Sequence, residues 1–240
     1  MKKALIIIPA YNEEKNIEDV IKKIRQLSVN IVLDIVVVCD GPEDNTVKIV
    51  SSLNVPIIAH PINLGVGAAI QAGFKYANIK DFDMAVVVDG DGQHDPNEIL
   101  KFIKAMEDSS IDVVIGSRFL SKDKVQTHWA RKIGIKIFSV LVSLLGKCKI
   151  TDVTSGFRAF NRRTIALLSK EMPADFPDAD LILFLALSKY KIVEIPISSR
   201  ERQHGESMYS LLTSIYYPFK LFVSILAVAL RFFFEKEGVN

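Results

Sequence analysis

The sequence predicts an α/β fold in which a mainly parallel central sheet is flanked by helices on both faces. Up to about residue 120, short runs rich in Val and Ile alternate with longer segments of helical period. These runs are continuously apolar, which is typical of strands buried on both faces. Each run ends in a segment rich in Asp, Asn, Glu, His or Gly, and the carboxyl ends of parallel strands share one edge of a sheet. We therefore expect a ligand site along that edge.

The elements follow in a regular order through the first half of the chain. Five strands are predicted near residues 4–8, 34–39, 56–59, 84–89 and 112–116. The segments between them are EEKNIEDVIKKIRQL, EDNTVKIVSSL, GVGAAIQAGFKYA and DPNEILKFIKAME, each with helical period. After residue 120 we predict a long helix from Gln126 to Leu145, a helix from about Asp178 to Lys189, and a strand at KIVEIPI. The chain then divides into one domain over residues 1–208 and a hydrophobic C-terminal helix within residues 209–240.

Composition restricts the class of protein. With 240 residues, 49% of them hydrophobic and 24% charged, the chain can bury a sizeable core. The formal net charge of +2 gives no support to nucleic-acid binding. Cys39 and Cys148 lack any CxxC or His-Cys spacing, which favours a reducing, cytoplasmic compartment. Five apolar residues before Pro9 are too few for a signal peptide, so we expect a first strand there.

The segment AVVVDGDGQHDP ends a buried strand on two carboxylates, Asp89 and Asp91. Two like charges this close are costly to desolvate unless water, a cation or a ligand compensates them. Carboxylate oxygens suit Mg²⁺ or Mn²⁺, and Gln93 offers a third oxygen ligand. The alternative is a solvated turn, and Asp95 followed by Pro96 is explained by the start of a helix alone.

The first two strand ends carry polar side chains of a different kind. In PAYNEE, Asn12 can cap the following helix, but capping does not explain Tyr11. At the tip of the second strand, Asp40 is placed to accept a hydrogen bond from a nucleotide base, whereas we interpret Asp44 as a helix-capping acid.

Seven segments in order resemble family 2 glycosyltransferases of the GT-A fold, most closely the polyprenyl-phosphate (dolichyl-phosphate) mannose synthases and their glucosyl relatives. The segments are IIIPAYNEEKNI, VVVCDGPEDNT, NLGVGAAIQAGF, VVVDGDGQHDP, VIGSRF, TDVTSGFRAFNR and VEIPISSRERQHGES. The resemblance implies that one group of residues contacts the base and ribose and that a second group holds the metal and the donor diphosphate. The first group is Pro9, Tyr11, Glu13 and Asp40, and the second is Asp89, Asp91 and Gln93.

The chain departs from the family pattern at three places. It has Cys39-Asp40-Gly41-Pro42 where the family usually has Asp-Asp-Gly-Ser, and Met208 where it usually has a lysine. Asp178-Ala179-Asp180 stands where many relatives have a Glu-x-Glu pair. Asp178 also fits a helix N-cap, and the two interpretations remain open at this point.

The acceptor is expected to be a phosphate. A phosphate is already an anion near neutrality, so it needs cations more than it needs a general base. Arg118, Arg131 and Arg202 are the candidates, because the planar guanidinium suits bidentate phosphate recognition. Surface arginine is the alternative for each.

The resemblance and these residues together predict an inverting, metal-dependent transfer of a hexose from a nucleoside-diphosphate sugar to polyprenyl (dolichyl) phosphate. Asp91 and the three arginines are the predicted catalytic residues. Mannose from GDP-mannose is the first expectation and glucose from UDP-glucose the second. A soluble glycan acceptor and a non-catalytic nucleotide- or polyprenyl-binding scaffold are the alternatives, and the intact Asp89-Gly90-Asp91 argues against the scaffold.

The apolar tail, residues 209–234, has the length of a membrane span, but Lys220 near its middle costs roughly 2.5 to 3.5 kcal/mol there. At helical spacing a narrow polar or small stripe separates from an apolar remainder. The stripe consists of Thr213, Tyr217, Lys220, Ser224, Ala227 and Arg231. We expect the helix to lie in the interface of the cytoplasmic face of a membrane, with its cations, and Lys132 and Lys136, reaching the headgroups. A helix packed on the domain or in a homodimer is the alternative.

Overall fold

A seven-stranded sheet lies between two layers of helices in the part of the chain that the computed structural model describes. That part comprises residues 2–121, 129–172, 177–198 and 211–237, with the backbone alone at residues 130–131, 211–216 and 235–237. The strands are β1 (Lys3–Ala10), β2 (Val32–Asp40), β3 (Ile57–His60), β4 (Met84–Val87), β5 (Val113–Ser117), β6 (Arg158–Asn161) and β7 (Ile192–Pro196). The helices are α1 (Ile17–Arg25), α2 (Thr46–Ser52), α3 (Val66–Ile79), α4 (Ile99–Ala105), α5 (Trp129–Gly146), α6 (Arg162–Leu168), α7 (Ala179–Leu187) and α8 (Leu211–Glu237).

The strand order is β3-β2-β1-β4-β6-β5-β7, and each pair is parallel except those that β6 makes. Strand β6 is antiparallel to both β4 and β5. The α/β fold with a mainly parallel sheet is therefore confirmed, as are the five predicted strands and the later strand at KIVEIPI. β4 ends at Val87, two residues before its predicted end.

Sequence reasoning missed β6. Its four residues, RAFN, are too few to show a period of two, and a strand that begins with Arg is poorly marked by composition. The strand forms because β4 and β5 supply a partner on each side, with Met84 opposite Asn161 and Val113 opposite Phe160. Strand β6 is therefore determined by pairing with strands distant in sequence and not by a local sequence pattern.

Alternation along β1 divides the core into two layers. Leu5 and Ile7 pack with α3, α6 and α7 on one face of the sheet, while Ile6 and Ile8 pack with α1, α2 and α4 on the other. Because all the parallel strands point the same way, their carboxyl ends meet at one edge, as does the beginning of antiparallel β6.

Helix α8 packs against α7 and α5. Leu221 and Ile225 are buried there, and the ring of Phe232 lies 5.9 Å from that of Phe184, centroid to centroid. Within the described residues, one stretch, Tyr217–Phe234, is long and apolar enough to cross a membrane by length and composition, and 11% of it is buried.

The predicted orientation of the polar stripe on α8 is wrong. Ser224 Oγ donates to Asp180 Oδ2 at 2.6 Å, and Arg231 Nη2 lies 3.2 Å from Glu171 Oε2, so the stripe faces the rest of the protein. Carboxylates on the protein side need hydrogen-bond donors, and this need turns the polar residues inward. The apolar side of α8 therefore faces outward. The side chain of Thr213 lies outside the described residues.

Gly73 on α3 provides a test of how closely helix and sheet pack. A Cβ at this position would lie 2.3 Å from Cγ2 of the fully buried Ile7. Gly73→Ala should therefore lower the free energy of unfolding by about 1–3 kcal/mol, measured by urea denaturation. Gly134→Ala in α5 is the control, because its Cβ would meet no described heavy atom within 4 Å. Equal stabilities of the two variants would contradict this packing.

Candidate active site

The loops that follow β1 and β2 are hydrogen-bonded to each other at the carboxyl edge of the sheet. The backbone N–H of Glu13 donates to Thr46 Oγ1 at 2.9 Å, and that of Glu14 donates to Asp44 Oδ2 at 3.0 Å. The other oxygen of Asp44 accepts from the N–H of Thr46, the first residue of α2, at 2.9 Å. Asp44 therefore bonds the start of α2 as expected of a capping acid, but it precedes the N-cap residue Asn45 and also ties the helix to the loop after β1. The two loops therefore form one connected side of the site.

Asn12 belongs to this connection and does not cap α1. Its backbone is left-handed, with φ of 54°, and its Oδ1 accepts from the N–H of Glu43 at 2.8 Å. Helix α1 begins only at Ile17, after Asn16, which makes no side-chain cap bond. The capping role considered for Asn12 is thus wrong.

Pro9, Tyr11 and Glu13 lie at the end of β1 and in the loop after it. Tyr11 is 39% exposed, while Glu13 is buried and accepts from Asn16 Nδ2 at 2.7 Å. A Cβ on Gly90 would lie 3.1 Å from the Pro9 carbonyl oxygen and 3.5 Å from Glu13 Cγ, so the end of β1 and the loop that follows it both touch the loop after β4. The ring of Tyr11 is accessible for stacking, and the nucleotide contacts of all three residues stay a prediction.

Asp40 fixes the loop between β3 and α3. Its Oδ1 lies 2.7 Å from His60 Nδ1 and accepts from the N–H of Leu64 at 3.0 Å, and its Oδ2 accepts from the N–H of Gly65 at 2.8 Å. A carboxylate accepts about four hydrogen bonds, so the described residues leave one acceptor position of Asp40 open. A base contact by Asp40 stays a prediction, and shaping this loop is a role that sequence reasoning missed.

Asp89 and Asp91 lie in the turn after β4. The side chain of Asp89 is 38% exposed, and Asp91 Oδ1 accepts from the N–H of Gln93 at 3.0 Å. Gly156, before β6, approaches so closely that a Cβ there would lie 3.0 and 3.2 Å from the two Asp89 carboxylate oxygens. Because Gly156 has no side chain, no Cβ crowds this side of the Asp89 carboxylate. The side chain of Gln93 is half-buried in the same turn.

This donor set fits a divalent cation that is bound together with phosphate. Within the described ranges, no three His, Cys, Asp or Glu side chains are grouped to hold a metal by themselves. Mg²⁺ is commonly held by one or two carboxylates plus substrate phosphates, and Mn²⁺ prefers the same oxygen ligands. Asp89 and Asp91 supply such a pair, and no Cβ at Gly156 crowds Asp89.

His94 is a further residue of this turn that sequence reasoning did not single out. The ring stacks on Phe157 with centroids 4.5 Å apart, and its Nδ1 accepts from the backbone N–H of Asp89 at 3.3 Å. Burial lowers the pKa of His94 to about 4, so the ring is neutral near pH 7. With Nδ1 as acceptor, the ring proton lies on Nε2, which is 3.6 Å from Asp89 Oδ2. His94 therefore helps to position Asp89.

Arg118, after β5, is held by the fully buried Asp152. Its Nε lies 2.7 Å from Asp152 Oδ2, and its Nη2 lies 2.8 Å from Asp152 Oδ1 and from Thr154 Oγ1. In the part of the chain described, its Nη1 makes no hydrogen bond, and the side chain is 21% exposed. Burial acts to lower the pKa of Arg118, but the interactions with Asp152 raise it above its usual value. Arg118 is therefore a permanent cation with one edge left for a ligand.

Glu194 on β7 holds the segment that carries Asp152. Its carboxylate accepts from the backbone N–H groups of Thr151 and Asp152, each at 2.9 Å, and from Thr151 Oγ1 at 2.9 Å. Burial raises the pKa of Glu194, and these donors act against the rise. Strand β7 thus positions Asp152, and Asp152 positions Arg118.

Arg158, at the start of β6, was also missed. It is buried, its Nη1 donates to the Pro177 carbonyl oxygen, and its Nη2 donates to the Val153 carbonyl oxygen at 3.0 Å. Burial lowers the pKa of Arg158. Its Nε has no hydrogen-bond partner in the described structure. The available signal was an arginine between apolar residues in SGFRAF.

Asp178 does not act as the N-cap considered for it. Its side chain makes no cap bond, and its Oδ1 lies 3.7 Å from Arg158 Nη2. The neighbouring Asp180 instead accepts at Oδ1 from the N–H groups of Asp178 and Leu181, at 3.1 and 2.8 Å. The cap interpretation failed because an ion pair takes the Asp178 carboxylate.

The side chains of two predicted site residues, Arg131 and Arg202, are not described by the structure. The backbone of Arg131 lies in the first turn of α5, but its side chain is not among those described. Arg202 and Met208 lie outside the described residues.

The charges of the site act on one another. Both Asp89 and Asp178 raise the pKa of Arg118, so these three residues are close enough for direct electrostatic coupling. The arrangement combines an open carboxylate turn with an anchored cation. It is suited to binding a metal-complexed diphosphate beside a second anion.

Comparison with known proteins gives the family. Residues 5–167 match the model described as Glycosyl transferase family 2, which is more than half of the chain. A UDP-N-acetylglucosamine–dolichyl-phosphate N-acetylglucosaminyltransferase from Methanococcus voltae is 32% identical, over 92% of this chain and 94% of its own length. A polyprenol monophosphomannose synthase from Mycolicibacterium smegmatis is 29% identical, over 87% of this chain and 82% of its own length.

The fold is also that of a solved enzyme. The glucosyl-3-phosphoglycerate synthase from Mycobacterium tuberculosis, crystallised with Mn²⁺, UDP and glucosyl-3-phosphoglycerate, superposes with a TM-score of 0.70. The match covers 96% of this chain and 80% of that one at 16% identity, so it bears on the fold alone and confirms the expected GT-A architecture. From the family match and the relatives, the chain belongs to glycosyl transferase family 2 and is a glycosyltransferase.

Proposed function

We propose that the enzyme transfers one hexose from a nucleoside-diphosphate sugar to a polyprenyl phosphate, with inversion at the anomeric carbon. An oxygen of the lipid phosphate forms the new bond to that carbon as the bond to the nucleoside diphosphate breaks. The acceptor phosphate is already ionised near neutrality, with a second pKa of about 6, so no general base has to remove a proton from it.

Asp89 and Asp91 are proposed to hold Mg²⁺ or Mn²⁺ with the donor diphosphate, and Gln93 adds an oxygen ligand. A bound divalent cation neutralises the charge that develops on the leaving diphosphate. Support comes from the side of the Asp89 carboxylate that no Cβ at Gly156 crowds, and from the Mn²⁺ in the crystallised structural neighbour. Pro9, Tyr11, Glu13 and Asp40 are proposed to contact the base and ribose.

The proposal that the acceptor is a phosphate rests mainly on the anchored guanidinium of Arg118. Asp152 takes two of its nitrogens, which leaves the Nη1 edge oriented and available among the described groups. An oriented arginine edge binds an anion with little loss of side-chain entropy. Arg131 and Arg202 are proposed as further phosphate contacts. The names of the relatives from M. voltae and M. smegmatis support a polyprenyl acceptor.

The sugar is proposed to be mannose from GDP-mannose, with UDP-glucose as an alternative donor. The name of the M. smegmatis relative supports a mannosyl product. The M. voltae relative adds N-acetylglucosamine from its UDP derivative as a second candidate. Calorimetric binding of these three donors in the presence of Mn²⁺ separates the candidates.

Asp91→Ala should reduce transfer of labelled sugar to polyprenyl phosphate by roughly 100-fold or more, because charge on the leaving diphosphate is left uncompensated. Mn²⁺-dependent donor binding should fall in the same variant while its melting temperature stays unchanged. Asp108→Ala is the control, since this exposed carboxylate bonds only locally, to Ser110. Near-normal transfer by Asp91→Ala in Mg²⁺ would refute the metal site.

Residues 209–240 are proposed to attach the catalytic part, residues 1–208, to the cytoplasmic face of a membrane. The outer side of α8 exposes Phe219, Phe222, Val223, Leu226, Leu230, Phe233 and Phe234. On α5, which α8 contacts, four exposed apolar residues recur at steps of four and three: Ile133, Ile137, Val140 and Leu144. We call these two sets the apolar face. A polyprenyl chain stays in the bilayer, so an enzyme that uses it has to come to the surface.

The inward polar contacts of α8 favour attachment along the surface over a span. A helix that crossed the bilayer would separate Ser224 from Asp180 and Arg231 from Glu171. When α8 lies along the membrane surface, its apolar side chains enter the lipid interface while its polar side keeps its hydrogen bonds to the protein.

Replacing Phe222 and Leu226 together by serine should release the protein from phospholipid vesicles. Each side chain contributes about 1.5–3 kcal/mol when it is buried, so the vesicle-bound fraction in a sedimentation assay should fall about tenfold or more. Ile79→Ser is the control, because Ile79 is 75% exposed but lies on α3, outside the apolar face. Equal loss in the control, or undiminished sedimentation of the double variant, would argue against this face.

A further inference from the structure

Helix α8 donates hydrogen bonds to both carboxylates at the start of α7. The hydroxyl of Tyr217 donates to Asp178 Oδ2, and Ser224 Oγ donates to Asp180 Oδ2 at 2.6 Å. Ser224 follows Tyr217 by seven positions, which is close to two helical turns, so both donors lie on the same side of α8. We call this pair of bonds the α7–α8 latch.

The Asp178 end of the latch interacts electrostatically with charged residues of the candidate active site. Asp178 faces the guanidinium of Arg158 on β6, and its charge also acts on Arg118 after β5. The charge of Asp89 in turn acts on Asp178. A change in the position of the Asp178 carboxylate therefore changes the field at the groups proposed to bind both substrates.

The latch also keeps the two carboxylates satisfied. Burial raises the pKa of Asp178 and of Asp180, and the hydrogen bonds from Tyr217 and Ser224 act in the opposite direction. A buried carboxylate without its donors is costly, and it relieves that cost by moving or by taking up a proton. Loss of the latch therefore changes the first turn of α7.

Packing alone does not fix α8 against α7 at this place. A cavity of about 600 Å³ lies between them, lined by Asp180, Phe184, Tyr217, Leu221, Ser224 and Val228, among others. Ile225 and Phe232 still pack α8 on the protein, but beside the cavity fewer side chains fill the space between the helices. The two polar contacts therefore add to the packing in defining the relative position of α7 and α8 there.

We propose that Tyr217 and Ser224 are positioning residues that couple the attachment of α8 to a bilayer with the arrangement of Asp178 in the active site, an inference that rests on the membrane attachment proposed above. The apolar face of α8 meets the lipid, and the opposite side of the same helix holds the two carboxylates. The bilayer restricts α8, the restricted helix holds Tyr217 against Asp178, and Asp178 keeps its place beside Arg158.

Amide hydrogen exchange tests this coupling without using the transfer reaction. The N–H groups of Asp178 and Leu181 both donate to Asp180 Oδ1 and therefore report on the first turn of α7. In the wild type, vesicles of phosphatidylcholine and phosphatidylglycerol should slow exchange in α8 and also at residues 178–182. In the double variant Tyr217→Phe, Ser224→Ala, vesicles should slow exchange in α8 only.

The matched control removes the same two hydroxyl groups elsewhere. Tyr76→Phe combined with Ser52→Ala changes α3 and α2, where Ser52 Oγ bonds only the Ile49 carbonyl oxygen, and should behave as the wild type in both segments. With vesicle-bound acceptor, the latch variant should lose about tenfold or more in kcat while its KM for the donor changes by less than about twofold.

The proposal is overturned if vesicles leave exchange at residues 178–182 unchanged in the wild type, or slow it equally in the latch variant. It is likewise overturned if the latch variant keeps full kcat. Absence of sugar transfer to polyprenyl phosphate by the wild type refutes the proposed function, but leaves a lipid-dependent protection of α7 standing as evidence for the coupling.

Discussion

The buried carboxylate of Asp152 is the constraint around which the site is organised. A carboxylate removed from water costs several kcal/mol unless a cation and further donors compensate it. Arg118 supplies the cation, and Glu194 on β7 fixes the backbone that carries Asp152. The ion pair therefore joins the end of β5 to the segment before β6, and Glu194 joins β7 to the same segment. Arg118 is oriented as a consequence of that compensation, so the same interaction serves the fold and the phosphate contact proposed for Arg118.

The sequence predicted the strands well because continuous apolar runs report burial directly, and it predicted the edge of the site because parallel strands end together. Its failures share a physical cause. The partners of Asp40 lie 20 to 25 residues away, and those of Arg118 lie 34 to 36 away, so no local pattern shows them. Asn12 and Asp178 were considered as caps because caps are local, whereas both bond across loops. Strand β6 depends on two neighbours distant in sequence.

Helix α8 illustrates a different limit. Periodicity separates a helix into two faces, but it does not say which face packs on the protein and which is left exposed. Here contacts made in the folded protein decide the question: Asp180, buried at the start of α7, accepts from Ser224, and Glu171 pairs with Arg231. Acids on neighbouring elements thus help to determine which surface α8 presents.

The place of β6 in the sheet has a consequence for folding during synthesis. Among the described strands, β5 pairs only with β6 and β7, both of which follow it in the chain. A nascent chain that ends just after β5 can complete the half-sheet β3-β2-β1-β4, yet Val113, Val114 and Ile115 have no native neighbour. Exposed apolar strands of this kind are prone to aggregate or to pair wrongly. The ribosome has to deliver about forty further residues before β6, the first native neighbour of β5, is complete, so the second half of the sheet forms later than the first.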